Sequence, residues 1–94
     1  MTNSTKFRIT RTDKFDERLR ELSPTNQKRV VIKLQEFEKQ INDYGIDPRQ
    51  HGSTKYVVTE RVWRLRIGDY RAFFDVLGDE IKFLTVLCRD RAYR

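Results

Sequence analysis

The sequence predicts an α+β fold in which a two-helix hairpin packs on one face of a small antiparallel sheet, in the element order βααβββ. Three observations support this prediction. Two neighbouring segments repeat apolar residues at helical spacing, and the segments after residue 55 alternate apolar and polar residues between glycine-containing turns. The length of 94 residues is below the usual range for two domains. We therefore expect residues 1–94 to form a single domain with a modest core.

The first predicted elements are a short strand and a short helix. Residues 6–11 alternate Phe7 and Ile9 with polar residues, which is the period of a half-buried strand. Thr12 or Asp13 can cap the helix that follows. The apolar residues of that helix share one face at the spacing i, i+4 and i+7, and they are Phe15, Leu19 and Leu22.

A longer helix is predicted to begin at Ser23-Pro24, where serine fits the cap and proline fits the first helical position. Its apolar residues recur at steps of four and three, and they are Val30, Leu34, Phe37, Ile41 and Tyr44. Gly45 ends this helix, and the polar run of residues 47–54 has the composition of a surface loop. The two helices are therefore expected to form a hairpin.

The remaining residues predict an antiparallel meander of three strands. Residues 56–67 are rich in β-branched and aromatic side chains, and the turn signals Gly68-Asp69 and Gly78-Asp79 each precede a further strand. Alternation sends two sets of side chains to opposite faces, Trp63, Leu65 and Ile67 to one and Val62, Arg64 and Arg66 to the other. Because the helices cover one face only, we expect the second face to be partly polar.

Positive charge is concentrated in arginine towards the end of the chain. The formal net charge is +6, and residues 61–94 carry seven Arg and one Lys against four Asp and one Glu. A guanidinium group binds phosphate through a planar fork and keeps its charge at physiological pH. The pattern favours a polyanionic partner such as RNA, DNA or an acidic protein.

Several classes of function are not expected. No stretch approaches the roughly 18 apolar residues of a membrane span, and residues 1–6 lack the hydrophobic region of a secretion signal, so we expect a cytoplasmic protein. Cys88 and His51 are the only residues of their types, too few for a disulfide or a zinc site of the Cys/His type. We expect no metal, no small-molecule cofactor, a buried position for Cys88 and no catalytic role for His51.

The most specific motif spans residues 62–74. It reads Val-Trp-Arg-Leu-Arg-Ile-Gly-Asp-Tyr-Arg-Ala-Phe-Phe, and it resembles a stretch carried by the RelE/ParE toxin superfamily. Residues 86–94 are similar to that superfamily's closing strand, which runs into a basic cluster and a tyrosine. The resemblance implies a toxin of a type II toxin–antitoxin system with a cognate acidic antitoxin as its partner. RelE-type members cleave mRNA in the ribosomal A site, whereas ParE-type members poison DNA gyrase.

The resemblance also implies a catalytic cluster. The positions that match the family's basic cleft are Arg64, Arg66 and Arg71 from the meander, Arg89 or Arg91 from the last strand, and Tyr93. The chain departs from the family in two places. Cys88 stands where many relatives carry a histidine, and because the sequence ends just after the tyrosine, we expect the C-terminal helix of some relatives to be missing. The first departure removes an imidazole acid or base.

These residue types suit RNA cleavage by attack of the neighbouring 2′-hydroxyl on phosphorus. The substrate then supplies its own nucleophile, and no metal is needed. Arg71 and Arg89 or Arg91 are the candidates for stabilising the charge of the transition state, and removing one such donor typically lowers the rate about 10² to 10³-fold. Arginine holds its proton too firmly to be a good general acid. Tyr93 is a candidate for the general base or for a platform on which an unpaired base stacks.

Other interpretations stay open at this point. The chain also fits a gyrase inhibitor, a catalytically inactive homologue that only binds an antitoxin, or a general nucleic-acid-binding module. Arg64 and Arg66 also fit solvated strand residues, and Arg89 and Arg91 fit a charged tail. We favour the ribosome-dependent mRNA endonuclease, and we expect the antitoxin to cover part of the arginine cluster.

Overall fold

The computed structural model describes residues 6–92, and it confirms an α+β fold with two helices packed on one face of a sheet. It adds one strand and one short helix to the order expected from the sequence. The elements are β1 (Arg8–Arg11), α1 (Asp13–Arg20), α2 (Pro24–Tyr44), a 3-10 turn (Pro48–Gln50), β2 (Thr54–Val57), β3 (Val62–Ile67), β4 (Tyr70–Leu77), β5 (Glu80–Cys88) and α3 (Arg89–Ala92).

The five strands form one sheet in the order β1-β5-β4-β3-β2. Strands β2 to β5 pair antiparallel with their sequence neighbours, whereas β1 lies parallel to β5, with Ile9 opposite Ile81. A parallel pair needs a long connection between its strands, and the helical hairpin is part of that connection. The first strand in the sequence, β1, is therefore hydrogen-bonded to the last strand, β5.

Side-chain caps fix where both long helices begin. The Thr12 hydroxyl accepts from the Phe15 backbone N–H at 3.1 Å and donates to the Leu84 carbonyl at 2.7 Å, so the cap also ties α1 to β5. The Ser23 hydroxyl caps α2 by accepting from the Asn26 backbone N–H at 3.3 Å, and Gly45 ends α2 with a φ of 64°. Within residues 6–92, no helix is both long enough and apolar enough to cross a membrane.

The core lies between the helices and one face of the sheet. The predicted stripes are buried at Phe15, Leu19, Val30, Leu34, Phe37 and Ile41. They pack on the sheet residues Leu65, Ile67, Ala72, Phe74, Ile81, Phe83 and Val86. Phe74 belongs to a ring cluster, 5.2 Å from Phe83 and 5.8 Å from Phe37 between ring centroids. We call this sheet face the helix-covered face.

Tyr44 does not belong to this core, although helical spacing placed it on the same stripe. It is the last residue of α2 and is 76% exposed. Periodicity identifies the buried side of a helix, but it contains no information on how far the sheet extends beneath it. The prediction for Tyr44 was therefore wrong.

Residues 56–67 form a hairpin instead of the one strand expected from their composition. β2 and β3 pair from Val57 and Val62 outward, and the Arg61 N–H donates to the Val57 carbonyl at 2.8 Å across the turn. Arg61 adopts a φ of 57°, a conformation that glycine or asparagine would usually signal. The turn contains neither, which explains why the sequence pattern showed no break.

Candidate functional site

Four cations share the sheet face opposite α1 and α2. Arg64 and Arg66 alternate with Leu65, which is fully buried on the helix-covered face. The strand register places Arg71 directly opposite Arg66, and Lys55 directly opposite Arg64. Directly paired residues project to the same face of a sheet. We call the face defined by Lys55, Arg64, Arg66 and Arg71 the cationic face.

These four side chains line one cleft of about 230 Å³, which we call the cationic cleft. Residues 52–54, at the start of β2, form its remaining wall, and no carboxylate is among these lining residues of the described chain. Lys55 and Arg66 are exposed, Arg64 is half-buried and Arg71 is buried. Four like charges in one cleft attract an anion strongly. The arrangement therefore suits the binding of a phosphate group.

Arg71 differs from the other three cations because it also holds the β3–β4 turn in place. Its side chain is 5% exposed, and Nη1 donates to the carbonyls of Gly68 and Tyr70, each at 2.8 Å. These bonds fold the guanidinium back on the turn that follows β3. Arg71 is therefore a structural residue of the cleft as well as a source of charge.

The C-terminal segment meets the same turn. The Arg89 N–H donates to the Asp69 carbonyl at 2.7 Å, next to the pair formed by Tyr70 and Cys88. Arg89 was expected on the last strand, but it is the exposed first residue of α3, a one-turn helix that the sequence did not predict. The bond to Asp69 brings the Arg89 backbone to the end of the sheet near Arg71.

Two other predicted site residues are described only in part or not at all. The backbone of Arg91 belongs to α3, and Tyr93 lies outside the described residues. The structure therefore brings together Arg64, Arg66 and Arg71, and it adds the Arg89 backbone to their end of the sheet.

Lys55 is the site residue that sequence reasoning missed. It lies on β2, an edge strand that was not separated from β3 because the turn between them has no glycine or proline. Even with both strands recognised, a shift of register by one residue would move Lys55 to the other face. Alternation gave no signal here, because Tyr56 and Val57 are adjacent and both apolar.

His51 is part of the scaffold next to the cleft. Its Nδ1 accepts from the Ser53 N–H at 3.1 Å, so Nε2 carries the proton and donates to Gln40 Oε1 at 2.8 Å. The His51 ring also packs edge-on against the Phe37 ring, with 5.0 Å between the ring centroids. Burial, together with the charge of Lys33, lowers the pKa of His51 below its usual value of 6.5. The neutral imidazole therefore joins the loop to α2.

Cys88 is exposed, so the expectation of a buried position was wrong. It pairs with Tyr70 as the last residue of β5, at the end of the sheet. In the part of the chain that the structure describes, no three His, Cys, Asp or Glu side chains are grouped as a metal site would require.

Comparison with known proteins gives the family context of this cleft. A family model described as the ParE toxin of the type II toxin–antitoxin system parDE matches residues 9–93. No curated protein matches the sequence of the chain.

Solved structures with a similar fold share little sequence with the chain. A RelB–RelE antitoxin–toxin complex from Methanococcus jannaschii matches with a TM-score of 0.65 and 22% identity, over 89% of this chain and 94% of that one. A RelE–RelB complex from Pyrococcus horikoshii OT3 has a TM-score of 0.61 and 20% identity, over 92% and 98%. The RelBE2 complex from Mycobacterium tuberculosis has a TM-score of 0.64 and 17% identity, over 89% and 99%.

Proposed function

We propose that this chain, which belongs to the ParE toxin family of type II toxin–antitoxin systems, is a toxin that cleaves mRNA in the ribosomal A site. The observation that supports this activity is the convergence of Lys55, Arg64, Arg66 and Arg71 in one cleft. The exposed cations of the cleft can bind a phosphate, and the buried Arg71, which is bonded to the β3–β4 turn, gives the cleft a rigid side. The fold places this cleft on the face that the helices leave open.

The proposed reaction uses the 2′-hydroxyl of the substrate as its nucleophile. A base takes the proton of the 2′-hydroxyl, the 2′-oxygen forms a bond to the adjacent phosphorus, the bond from phosphorus to the 5′-oxygen breaks, and the leaving oxygen takes up a proton from water. The products are a 2′,3′-cyclic phosphate and a 5′-hydroxyl. Negative charge increases on the non-bridging oxygens in the transition state, and Arg64, Arg66 and Lys55 are the cations with exposed surface to stabilise it.

Proton transfer is assigned to a different kind of residue. Arginine is a poor general acid near neutral pH because its pKa lies far above neutrality. Tyr93 is our proposed general base, with stacking on an unpaired base as its alternative role. Arg89 and Arg91 are proposed to bind the phosphates that flank the scissile bond, since the α3 backbone is tied to the β3–β4 turn at the end of the cleft.

We further propose that an acidic antitoxin neutralises the toxin. The similar structures from M. jannaschii, P. horikoshii and M. tuberculosis are toxin–antitoxin complexes, and the net charge of +6 on this chain suits an acidic partner. Such a partner would cover part of the cationic face and exclude mRNA from it.

Inhibition of DNA gyrase is the second candidate function. The family model that matches the chain is that of the ParE toxin. In addition, the Arg71 guanidinium bonds the carbonyls of Gly68 and Tyr70, so the most buried cation of the cleft serves the fold. On this alternative the cationic face binds a protein surface and has no cleavage activity.

An Arg64→Ala/Arg66→Ala variant separates these candidates. The protein is induced in cells, mRNA 5′ ends are mapped and DNA supercoiling is followed. New cuts in translated messages with the wild type, and their absence with the variant, are the expected result. The matched control is Arg8→Ala/Arg11→Ala, which removes the same charge from the opposite edge strand β1 and should leave the cuts unchanged. Intact messages with altered supercoiling would instead support gyrase inhibition.

A further inference from the structure

His51 is the only histidine of the sequence, and the proposed reaction does not use it. It lies between α2 and the residues that begin β2. On the α2 side, its ring packs against the buried Phe37, and its Nε2–H donates to the Gln40 side chain at 2.8 Å. One side of the imidazole is therefore fixed to the helix that covers the core.

The other side of His51 holds residues that form the wall of the cationic cleft. Nδ1 accepts from the Ser53 N–H at 3.1 Å. The His51 carbonyl accepts from both the N–H and the hydroxyl of Thr54, at 3.0 Å and 2.7 Å. Ser53 and Thr54 line the cleft together with Gly52. Three hydrogen bonds to one residue therefore set the position of this wall.

The wall in turn determines where two cations of the cleft begin. The Ser53 carbonyl accepts from the Arg66 N–H at 2.9 Å, and Lys55 directly follows Thr54 on β2. Lys55 and Arg66 are the exposed cations of the cleft. A charge-assisted hydrogen bond requires close contact between the donor and a phosphate oxygen. The affinity of the cleft for phosphate therefore depends on the backbone position of these two residues.

We infer that His51 is a positioning residue of the cationic cleft. Through the backbone of residues 52–54, it holds Lys55 and Arg66 where both can bind one phosphate. The imidazole itself does not bind the phosphate, because both of its ring nitrogens are bonded to protein groups. This role rests on the phosphate site proposed above, and it adds a residue that acts on that site from outside the cleft.

The protonation of His51 distinguishes positioning from the effect of one more positive charge. A second ring proton makes Nδ1 a donor, which faces the Ser53 N–H and breaks that bond. Around the ring, α2 contributes the charge of Lys33, the 3-10 turn contributes the ion pair of Asp47 and Arg49, and β2 and β3 contribute the cations of the cleft. Positioning predicts weaker anion binding as His51 is protonated, whereas added charge alone predicts stronger binding.

Sulfate binding followed by NMR tests this inference, since sulfate remains a dianion between pH 8 and pH 5. The amide shifts of residues 52–55 and of Arg66 report binding at the cleft. The ring nitrogens of His51 report its protonation in the same samples. We expect the wild type to bind sulfate at the cleft and to bind it more weakly as His51 is protonated.

Two variants of His51 separate the two sides of its ring. His51→Asn keeps an acceptor near the position of Nδ1, so it retains the bond to Ser53 and loses the bond to Gln40. His51→Gln keeps a donor near the position of Nε2, so it retains the bond to Gln40 and loses the bond to Ser53. At pH 8, the sulfate affinity of His51→Asn should be within about 2-fold of the wild type, and that of His51→Gln should be about 3- to 10-fold lower. Both variants should lose the dependence on pH.

The two variants are matched controls for each other, because both lose the ring contact with Phe37 and are measured below their unfolding transitions. Equal sulfate affinity in the two variants would overturn the inference, as would wild-type binding that strengthens when His51 is protonated. Absence of sulfate binding to the wild type would overturn the phosphate site and the role of His51 with it. The expected difference between the variants, without mRNA cleavage by the wild type in cells, would support the positioning role and contradict only the proposed reaction.

Discussion

The two faces of the sheet are built by the same strands but have opposite chemistry. Within β3, Leu65 and Ile67 are buried under the helices, while Arg64 and Arg66 line the cationic cleft. In β4, Ala72 is fully buried on the helix-covered face and its neighbour Arg71 lies on the cationic face. A period of two allows one short strand to contribute to stability and recognition at the same time.

This comparison separates two kinds of substitution. A change on the helix-covered face should alter the free energy of unfolding, because it removes apolar contacts from a packed core. A change at an exposed position of the cationic face should alter ligand binding with little effect on stability. The first two predictions below test whether the two faces are as independent as their chemistry indicates, and the others test contacts at their margins.

The largest effect is expected from Phe74→Ala. Phe74 is fully buried and contacts the rings of Phe37 and Phe83, so its truncation should lower the free energy of unfolding by about 3–5 kcal/mol. Urea denaturation followed by circular dichroism measures the loss. The matched control is Phe73→Ala, the next residue, which pairs with Arg64 on the other face and lies outside the helix-packed cluster. An equal loss in both variants would mean that the two faces contribute equally to stability.

The next effect concerns Arg71, the cation that both lines the cleft and holds the β3–β4 turn in place. Arg71→Ala removes the donor to the Gly68 and Tyr70 carbonyls and should lower the free energy of unfolding by about 1–3 kcal/mol. The exposed Arg66, on the same face and directly opposite, is the control, and Arg66→Ala should change stability by less than about 0.5 kcal/mol. Denaturation of both variants under one condition gives the comparison. Equal stabilities of the two variants would contradict a structural role for Arg71.

The next prediction compares two turns, at each of which a substitution should lower the free energy of unfolding by about 1–2 kcal/mol. Gly68 and Gly78 have φ angles of 58° and 62°, and an added methyl group would meet no atom within 4 Å at either position. Alanine should therefore destabilise both turns through backbone strain alone, by about 1–2 kcal/mol each. Asp69 accepts from Arg89 and Asp79 accepts from Arg8, so the two turns also have similar backbone contacts.

The two variants should differ in function. Only the Gly68 turn contacts Arg71 and adjoins the cationic cleft, so Gly68→Ala should reduce mRNA cleavage and Gly78→Ala should not. Cleavage assays below the unfolding transition of both proteins measure this difference. Equal cleavage by the two variants would show that the turn conformation does not position the site.

The smallest effect is expected from pH. Burial lowers the pKa of His51 in the folded chain below its usual value of 6.5, so the unfolded chain binds the proton more readily. Stability should therefore decrease as the pH falls below about 6.5 and should level off once the pH is below the lowered pKa. The free energy of unfolding measured between pH 8 and pH 5 tests this. His51→Ala should be less stable at pH 8 and should lack that slope, and an unchanged slope would assign it to other groups.

The parts of the fold that the sequence predicted correctly depend on short-range patterns. Thr12 and Ser23 cap their helices where the motifs placed them, and the spacing from Phe15 to Leu19 identifies the buried side of α1. A cap joins residues three positions apart, and a helical stripe joins residues three or four apart. Such patterns can be read directly from the chain.

The errors have equally specific causes. The β2–β3 turn was missed because Arg61 takes a positive φ without a glycine signal, and Lys55 was missed with it. Cys88 was placed in the interior because cysteine is a small apolar residue of the kind found in buried strands. It is exposed at the end of β5. Tyr44 is on the expected helical face but extends past the sheet.

The sequence by itself determined helices α1 and α2, the alternation of β3 and β4, and the identity of the arginines on one face. These features follow from contacts between residues that are close along the chain, whose geometry is set by the helical and strand periods. The tertiary structure decided the pairing of β1 with β5, the position of Lys55 opposite Arg64, and the contact of His51 with α2. These features depend on strand register and on packing between distant segments, which no local pattern specifies.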